Sequence, residues 1–283
     1  MVGESGSGKT TVGLSIMRLV PSPGQIVGGR IIFDGQDLLK MTEDKVRKLR
    51  GREIAVTFQD PTSALNPVYT VGNQIGEMYK LHKGLKSQQL DSAVLDVLQI
   101  VGISDPKIRK SSYPFQLSGG MRQRVMIAMS IAITPKLIIA DEPTTNLDVT
   151  IQAQILDLLK DLQRRLGSSV LLITHDLGVI AQMCNRVAVI YAGRIRECGS
   201  VEDIFLNPKD PYTRALLRST PRIDEPSKEP YVIPGDVPDM INPPSGCRFH
   251  PRCEYARSAC KKQVPALKEF SSGHMVACMF ENQ

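Results

Sequence analysis

The feature that most restricts the fold of this chain is a glycine-rich loop at its start. Residues 3–11 read Gly-Glu-Ser-Gly-Ser-Gly-Lys-Thr-Thr. In such a loop, backbone N–H groups close around phosphate oxygens, a lysine reaches the β and γ phosphates, and a hydroxyl can bind Mg²⁺. A helix that begins near Lys9 would add the positive end of its dipole. We therefore predict a nucleoside triphosphate site formed by Gly3, Glu4, Ser5, Gly6, Ser7, Gly8, Lys9, Thr10 and Thr11.

The composition is that of a globular protein. The chain has 283 residues, of which 42% are hydrophobic and 23% are charged, with a formal net charge of +6. No apolar run approaches the roughly 18 residues that cross a bilayer. The first residues do not have the charged-then-apolar pattern of a signal segment. The positive charge is diffuse and does not argue for a nucleic-acid partner. We expect a cytoplasmic protein with its six cysteines reduced.

Two short apolar runs, residues 137–140 and 170–173, have the pattern of strands buried in a parallel sheet. Between them, apolar residues recur at helical spacing from 151 to 166, and Gly167 follows as a stop signal. This β-α-β pattern predicts an α/β fold. It would bring Asp141, Glu142 and His175 to the carboxyl ends of adjacent strands, where open α/β sheets bind ligands.

The pair Asp141-Glu142 is interpreted as the magnesium side of a nucleotidase. Asp141 would hold the metal through its water shell, and Glu142 could orient and deprotonate the attacking water. Taken alone, the pair would be interpreted as two solvated acids at a strand end. Its combination with the phosphate loop favours the catalytic interpretation.

A second candidate anion site lies at Ser118, Gly119 and Gly120. Ser118 can cap the following helix, and the two glycines let a phosphate approach the helix N-terminus closely. The plain alternative is a capped helix after a glycine turn. One nucleotide rarely needs two phosphate cradles, so we expect two copies that meet head to tail, each closing this segment over the nucleotide of the other.

Changes in the sequence pattern along the chain predict its domain organisation. Helical segments from about 71 to 135 predict an inserted helical subdomain within a first domain, 1–206. Nine of the nineteen prolines fall between Pro208 and Pro244, which predicts an extended connector. The second domain, 207–283, ends in a segment that holds four of the six cysteines.

This ordered set of motifs resembles the ATP-binding-cassette (ABC) ATPases, whose fold is that of a P-loop NTPase. The match covers essentially residues 1–206. It implies ATP and Mg²⁺ as cofactors. By resemblance, Gln59 senses the γ phosphate and Mg²⁺, Asp148 contacts the opposite subunit, and His175 orders the γ phosphate and the attacking water. The implied Mg²⁺ ligands are Thr10, Gln59 and Asp141, and the implied catalytic residues are Glu142, His175 and Gln59.

The segments around Ser63 to Pro67, Ile233 to Gly235 and Pro244 to Cys253 look like those of the oligopeptide/dipeptide importer ATPases. The resemblance implies a peripheral motor on the cytoplasmic face of the membrane. Its partners would be two permease subunits, a second ATPase and an extracytoplasmic substrate-binding protein. Two alternatives stay open: an importer for nickel or another solute, and a catalytically impaired assembly or redox-sensing component.

Cys247, Cys253, Cys260 and Cys278 are candidate ligands for an iron–sulfur cluster or for zinc. Four thiolates suit either group. Structural zinc usually pairs cysteines through two to four residues, which weakens the zinc interpretation here. The resemblance implies a [4Fe–4S] site. We expect it to stabilise mainly the structure of residues 245–283, the cysteine-rich tail. The nearby His250 and His274 could also be ligands, but we interpret them as surface histidines.

Only Met1 and Val2 precede the phosphate loop, whereas such a loop normally follows a buried strand of about five residues. ABC ATPases place strands ahead of it, one of them carrying an aromatic residue that stacks on adenine. We therefore expect this chain to be an N-terminally shortened member of the family. We also expect weakened support for its loop.

Overall fold

The computed structural model describes residues 1–220 and 231–280, which fall into two compact units. The first unit contains Met1–Val12 together with the described residues from Ile173 onward, and the second contains Gly13–Leu172. The division into domains 1–206 and 207–283 stays a prediction. Part of the predicted proline-rich connector, residues 221–230, lies outside the described residues.

The apolar runs at 137–140 and 170–173 form two strands of the second unit, as the sequence analysis predicted, and three further strands were not predicted. The strands are β1 (Ile32–Phe33), β2 (Gln36–Asp37), β3 (Ile54–Thr57), β4 (Leu137–Asp141) and β5 (Ser169–Ile173). β1 and β2 form a two-stranded antiparallel ribbon. β3, β4 and β5 form a sheet in that order, and β3 runs parallel to β4 with Ile54 opposite Leu137. β4 is buried along most of its length, as expected for a strand covered on both faces.

Most residues from 71 to β4 are helical, and the inserted helical subdomain of about 71–135 stays a prediction. Seven α-helices precede β4. They are α1 (Lys9–Ile16), α2 (Glu43–Leu49), α3 (Pro61–Ala64), α4 (Val71–Lys83), α5 (Ser87–Ile100), α6 (Pro106–Arg109) and α7 (Gly119–Ile131). Short 3₁₀ turns lie at Leu38–Lys40 and Pro114–Gln116. α4 begins at its cap Thr70 and ends at Gly84, which adopts a left-handed conformation.

The predicted β-α-β unit is confirmed. α8 (Val149–Leu166) lies between β4 and β5 in the chain, and its apolar face is buried through Ile155 and Leu159. The helix ends at Gly167, whose φ of 65° is the left-handed C-terminal cap that glycine adopts without strain.

The first unit contains a four-stranded antiparallel sheet. Two of its strands precede residue 207, and the other two lie in the tail. Its strands are β6 (Arg186–Tyr191), β7 (Arg194–Ser200), β8 (Lys268–Ser271) and β9 (His274–Val276). The spatial order is β6-β7-β9-β8, so the tail strand β9 pairs with β7. Its helices are α9 (Leu177–Met183), α10 (Val201–Leu206), α11 (Pro211–Arg218) and α12 (Ser258–Lys262), with a 3₁₀ turn at His250–Arg252. The largest side chains of its core are Tyr191, Tyr212 and Phe249.

Candidate nucleotide-binding site

The phosphate loop is wrapped around its own lysine. The Lys9 side chain is buried, and its Nζ donates hydrogen bonds to the carbonyl oxygens of Gly3 (2.8 Å) and Glu4 (3.0 Å). It also lies 3.5 Å from Ser7 Oγ, and Ser7 is fully buried. Because α1 begins at Lys9, the helix N-terminus follows the glycines directly, as the motif predicts.

Neighbouring backbone in the first unit supports this loop on both sides. Val2 forms parallel bridges with Thr174 and with Val189 of β6. Its N–H donates to Ala188 O at 2.9 Å, and its carbonyl accepts from Ile190 N at 2.8 Å. Met1 contributes as well, because its carbonyl accepts from Thr174 N at 3.1 Å. Met1 and Val2 thus make backbone hydrogen bonds on both sides of the segment that leads into the loop.

Gly3 has no room for a side chain. A Cβ at this position would lie 2.1 Å from the carbonyl oxygen of Ile190. At the other end of the loop, Gly193 N donates to Ser7 O at 2.8 Å. The glycine at position 3 is therefore required by close packing against β6.

Glu4 is held by groups that the sequence analysis did not single out. Its N–H donates to the hydroxyl oxygen of Tyr212 at 3.0 Å, and its carboxylate pairs with Arg252. Burial raises the pKa of Tyr212 above its usual value, so the hydroxyl is neutral. These partners lie more than 200 residues from the loop, and no local sequence pattern connects them to it.

In the second unit, the predicted catalytic carboxylate is fixed by two polar neighbours. Asp141 is the buried last residue of β4, and Glu142 follows with a positive φ of 44°. The Glu142 carboxylate accepts hydrogen bonds from Gln59 Nε2 at 2.8 Å and from Thr145 Oγ1 at 2.9 Å. The structure therefore brings Gln59 and Glu142 together. Thr145, three residues after Glu142, was missed.

The second predicted anion segment begins α7. Ser118 caps this helix by accepting a hydrogen bond from Met121 N at 3.3 Å. A Cβ on Gly120 would lie 2.8 Å from a methyl carbon of Ile151 in α8, so the glycine permits close packing of the two helices. Asp148 caps α8 through Ile151 N at 2.9 Å.

His175 lies in the first unit and is exposed. It follows Thr174, which bridges Val2, and precedes Asp176, which caps α9. The predicted residues are thus collected into two groups. The phosphate loop and His175 belong to the first unit, whereas Gln59, Glu142 and the two capped helices belong to the second.

Comparison with known proteins identifies this arrangement. A family model described as ABC transporter matches residues 1–145, and one described as the C-terminal region of oligopeptide/dipeptide transporters matches residues 196–260. The chain belongs to the ABC transporter family. The α/β P-loop NTPase fold and the ATPase class predicted from the sequence are thereby confirmed.

Two relatives resemble this ABC ATPase over nearly its whole length. The dipeptide transport ATP-binding protein DppD of Bacillus subtilis (strain 168) is 48% identical, with 100% of this chain and 85% of the relative covered. A probable peptide ABC transporter ATP-binding protein of Sinorhizobium fredii (strain NBRC 101917 / NGR234) is 50% identical, with 100% and 85% covered.

Solved structures agree in fold. The ATP-binding cassette MJ0796, as a dimer in a post-hydrolysis state bound to ADP and Pi, is 28% identical with a TM-score of 0.62. The alignment covers 71% of this chain and 83% of that one. A structure of cbiO1 from Clostridium perfringens, part of the complex cbiONQ, has a TM-score of 0.61 at 27% identity, covering 73% and 78%.

The four tail cysteines of this ABC ATPase line one cavity. Its walls are formed by Arg196, Pro211, Cys247, His250, Cys253, Tyr255, Cys260, Pro265, Cys278, Met279 and Phe280. The cysteines are free thiols. Burial raises the pKa of Cys253 to about 11 and also raises that of Cys278. The guanidinium of Arg196 donates a hydrogen bond to Cys247 Sγ at 3.4 Å.

The structure corrects the interpretation of the two tail histidines. His274 is 1% exposed, and its Nε2 lies 2.7 Å from Oε1 of the buried Glu197. His250 lines the cysteine cavity, with Nδ1 2.9 Å from Cys247 O. The prediction of surface histidines is therefore wrong for His274. The alternating pattern of β9 buries it, and sequence spacing alone did not reveal the carboxylate that accompanies it.

Two further observations apply to residues 1–220 and 231–280. There, no group of three or more His, Cys, Asp or Glu side chains is arranged so that it could hold a metal ion. None of the helices in these ranges is both long enough and apolar enough to cross a membrane.

Proposed function

We propose that this chain binds and hydrolyses ATP to energise the import of di- and oligopeptides across the cytoplasmic membrane. The observation that carries the proposal is Glu142, a carboxylate directly after a buried strand and hydrogen-bonded to Gln59 and Thr145. A carboxylate fixed in this way can orient water and accept its proton. Peptides as cargo are supported by the names of the relatives and by the match of residues 196–260.

In this proposal the phosphate loop binds the ATP phosphates, and Lys9 supplies positive charge to them. Glu142 acts as the general base, and His175 orders the γ phosphate and the attacking water. Thr10, Gln59 and Asp141 offer the oxygen atoms that Mg²⁺ prefers. Bound Mg²⁺ would neutralise charge that develops on the phosphates.

The chain would work as one of two cassettes. Ser118, Gly119 and Gly120 would close over the nucleotide of the second ATPase, and Asp148 would contact that subunit. The dimer of MJ0796 supports this arrangement. The further partners would be two permease subunits and an extracytoplasmic substrate-binding protein, with the ATPase on the cytoplasmic face of the membrane.

Replacing Glu142 by Gln tests the catalytic role. The amide keeps the shape of the side chain but cannot take a proton, so turnover should fall by about 10²–10⁴ while ATP still binds. Phosphate release and binding of a fluorescent ATP analogue report the two properties separately. Glu77→Gln, an exposed carboxylate on α4, is the matched control and should leave both unchanged.

Lys9→Ala complements this variant because it should weaken ATP binding itself. Turnover of the Glu142→Gln protein within a few-fold of the unmodified protein would remove Glu142 from the role of base.

We further propose that the cysteine cavity holds a [4Fe–4S] cluster. Cys247, Cys253, Cys260 and Cys278 would be its ligands, and all four line one cavity. Backbone N–H groups of Arg257 and Phe280 point at the sulfurs of Cys260 and Cys278, at 3.5 and 3.4 Å. Hydrogen bonds to sulfur are among the features that set the properties of such clusters.

The same cavity fits zinc less well. Structural zinc usually pairs cysteines through two to four intervening residues, whereas five, six and seventeen residues separate these four cysteines. A cluster instead lets each cysteine bind a different iron, so the sulfurs can lie farther apart. When bound, it would tie together four points of the tail that are spread from residue 247 to 278.

Protein purified without oxygen should be brown and contain about four irons and four acid-labile sulfides per chain. Cys278→Ser should lose most of the iron, whereas Cys184→Ser, a cysteine outside the cavity, should keep it. Stoichiometric zinc without iron or sulfide would rule out the cluster.

A further inference from the structure

The cysteine tail contacts the phosphate loop through Arg252. Its Nη1 donates to Glu4 Oε2 at 2.9 Å and its Nη2 donates to Glu4 Oε1 at 3.0 Å. The side chains of Arg252 and Glu4 are 6% and 25% exposed. Parallel charge-assisted hydrogen bonds of this kind are stronger and more directional than exposed ion pairs. The second residue of the phosphate motif is therefore oriented by an arginine that lies 248 residues away.

Arg252 is itself held firmly. It lies in the 3₁₀ turn between Cys247 and Cys253, and its Nε donates to Pro234 O at 2.8 Å. Its guanidinium also lies 5.7 Å from the ring centre of Tyr191. Burial opposes its charge, but the hydrogen bonds to Glu4 and Tyr191 and the attraction of Glu4 together raise the pKa of Arg252. It therefore stays positively charged.

The backbone of Glu4 is fixed from the same side. Its N–H donates to Tyr212, whose ring packs against Tyr191 and against Phe249 of the tail, with ring centres 4.6 and 5.2 Å apart. Both the main chain and the side chain of Glu4 are thus held by residues beyond 207.

The negative charge of the Glu4 carboxylate is unfavourable in a loop that binds phosphates. Glu4 and the phosphates of ATP carry charge of the same sign, and the repulsion is strong where water is partly excluded. The Arg252 guanidinium cancels the charge of Glu4 and turns its carboxylate toward the tail. We infer that Arg252 is a positioning residue for nucleotide binding, which neutralises and orients Glu4 and so makes the ATP affinity of the loop depend on the tail.

The inference rests on the proposed ATP site and is tested in the full chain by Arg252→Met. The probe is a fluorescent MANT-ATP with Mg²⁺. Affinity should fall about tenfold, because one uncompensated charge near the phosphates is worth roughly 1.4 kcal/mol or more. The rate at saturating ATP should change less than about threefold, since Arg252 touches none of the proposed catalytic residues.

A second substitution separates charge from structure. Adding Glu4→Gln to Arg252→Met removes the uncompensated carboxylate and should return the affinity to within about threefold of the unmodified protein. A tail that had merely been loosened would not be rescued in this way. Arg218→Met is the matched control, because Arg218 likewise pairs with a glutamate and lies over a tyrosine ring, away from the loop.

Three outcomes would overturn the inference. They are unchanged affinity in Arg252→Met, a loss that Glu4→Gln does not rescue, and an equal loss in Arg218→Met. If Arg252→Met does not fold, Arg252→Gln takes its place, because an amide can still donate a hydrogen bond to Glu4 but carries no positive charge. Its affinity for MANT-ATP should fall about tenfold, and an affinity within about threefold of the unmodified protein would contradict the inference. Failure of the unmodified protein to bind MANT-ATP would instead refute the proposed function, and the inference with it.

Discussion

Single residues of the phosphate loop are fixed by close backbone contacts. Gly3 lies against the Ile190 carbonyl, and Lys9 is enclosed by the carbonyls of Gly3 and Glu4. Any side chain at position 3 would push the loop away from β6. The loop therefore needs glycine at position 3, which has no Cβ, as well as the positive charge of Lys9.

Gly3→Ala should weaken ATP binding at least tenfold and destabilise the fold by about 1–3 kcal/mol, because the new methyl would collide with backbone that cannot rotate away. Nucleotide titration and thermal unfolding measure the two effects. Gly28→Ala is the control, since a Cβ there meets nothing within 4 Å. Equal behaviour of the two variants would show that the loop tolerates a shift.

Local chemistry was predictable at this scale, and long-range pairing was not. Short sequence patterns, in which each residue acts on its neighbours in the chain, predicted the local features. These are the lysine and glycines of the phosphate loop, the Ser118 cap and the Gly167 stop. The pair of Glu4 and Arg252 and that of His274 and Glu197 depend on tertiary folding. Nothing in the spacing of the sequence indicates which distant charge will meet which.

At the scale of elements, the helices α7 and α8 pack against each other near their first turns. Gly120 allows contact with Ile151, while Ser118 and Asp148 cap the two helices. These caps satisfy backbone N–H groups that have no partner within the helix. The segments predicted to reach the second ATPase are thus built on the rigid starts of helices.

Asp148→Ala should destabilise the protein by about 1 kcal/mol, because α8 loses the acceptor for Ile151 N. Asp148→Asn keeps an acceptor and should cost only a few tenths of that. Asp157→Ala, at an exposed position inside the same helix, is the control and should be neutral or slightly stabilising, since alanine favours helix. Chemical denaturation measures all three. A loss in Asp157→Ala as large as that in Asp148→Ala would contradict the capping role.

The tail shows where element prediction reaches its limit. The sequence indicated a cysteine-rich segment but not that β9 would pair with β7 or that Phe249 would enter the core beside Tyr191 and Tyr212. Short strands with few apolar residues have weak periodicity, so their partners are set by the sheet they join. The tail consequently has a larger role in the fold than its composition suggested.

At the scale of the whole molecule, similarity extends along the entire chain. The relatives named for peptide transport are 48–50% identical over all of it. In the function proposed above, the phosphate loop binds ATP and Glu142 acts as the base, so that ATP hydrolysis is coupled to peptide import. This coupling is the central claim.

The most direct measurement is uptake of a radiolabelled dipeptide by cells that lack this chain. The unmodified protein should restore uptake, and Glu142→Gln, expressed at the same level, should restore less than about 1% of it. Nickel uptake by the same cells should be unchanged. Dipeptide uptake that is unaffected by loss of the chain, or that is restored equally by Glu142→Gln, would contradict ATP-driven peptide import by this protein.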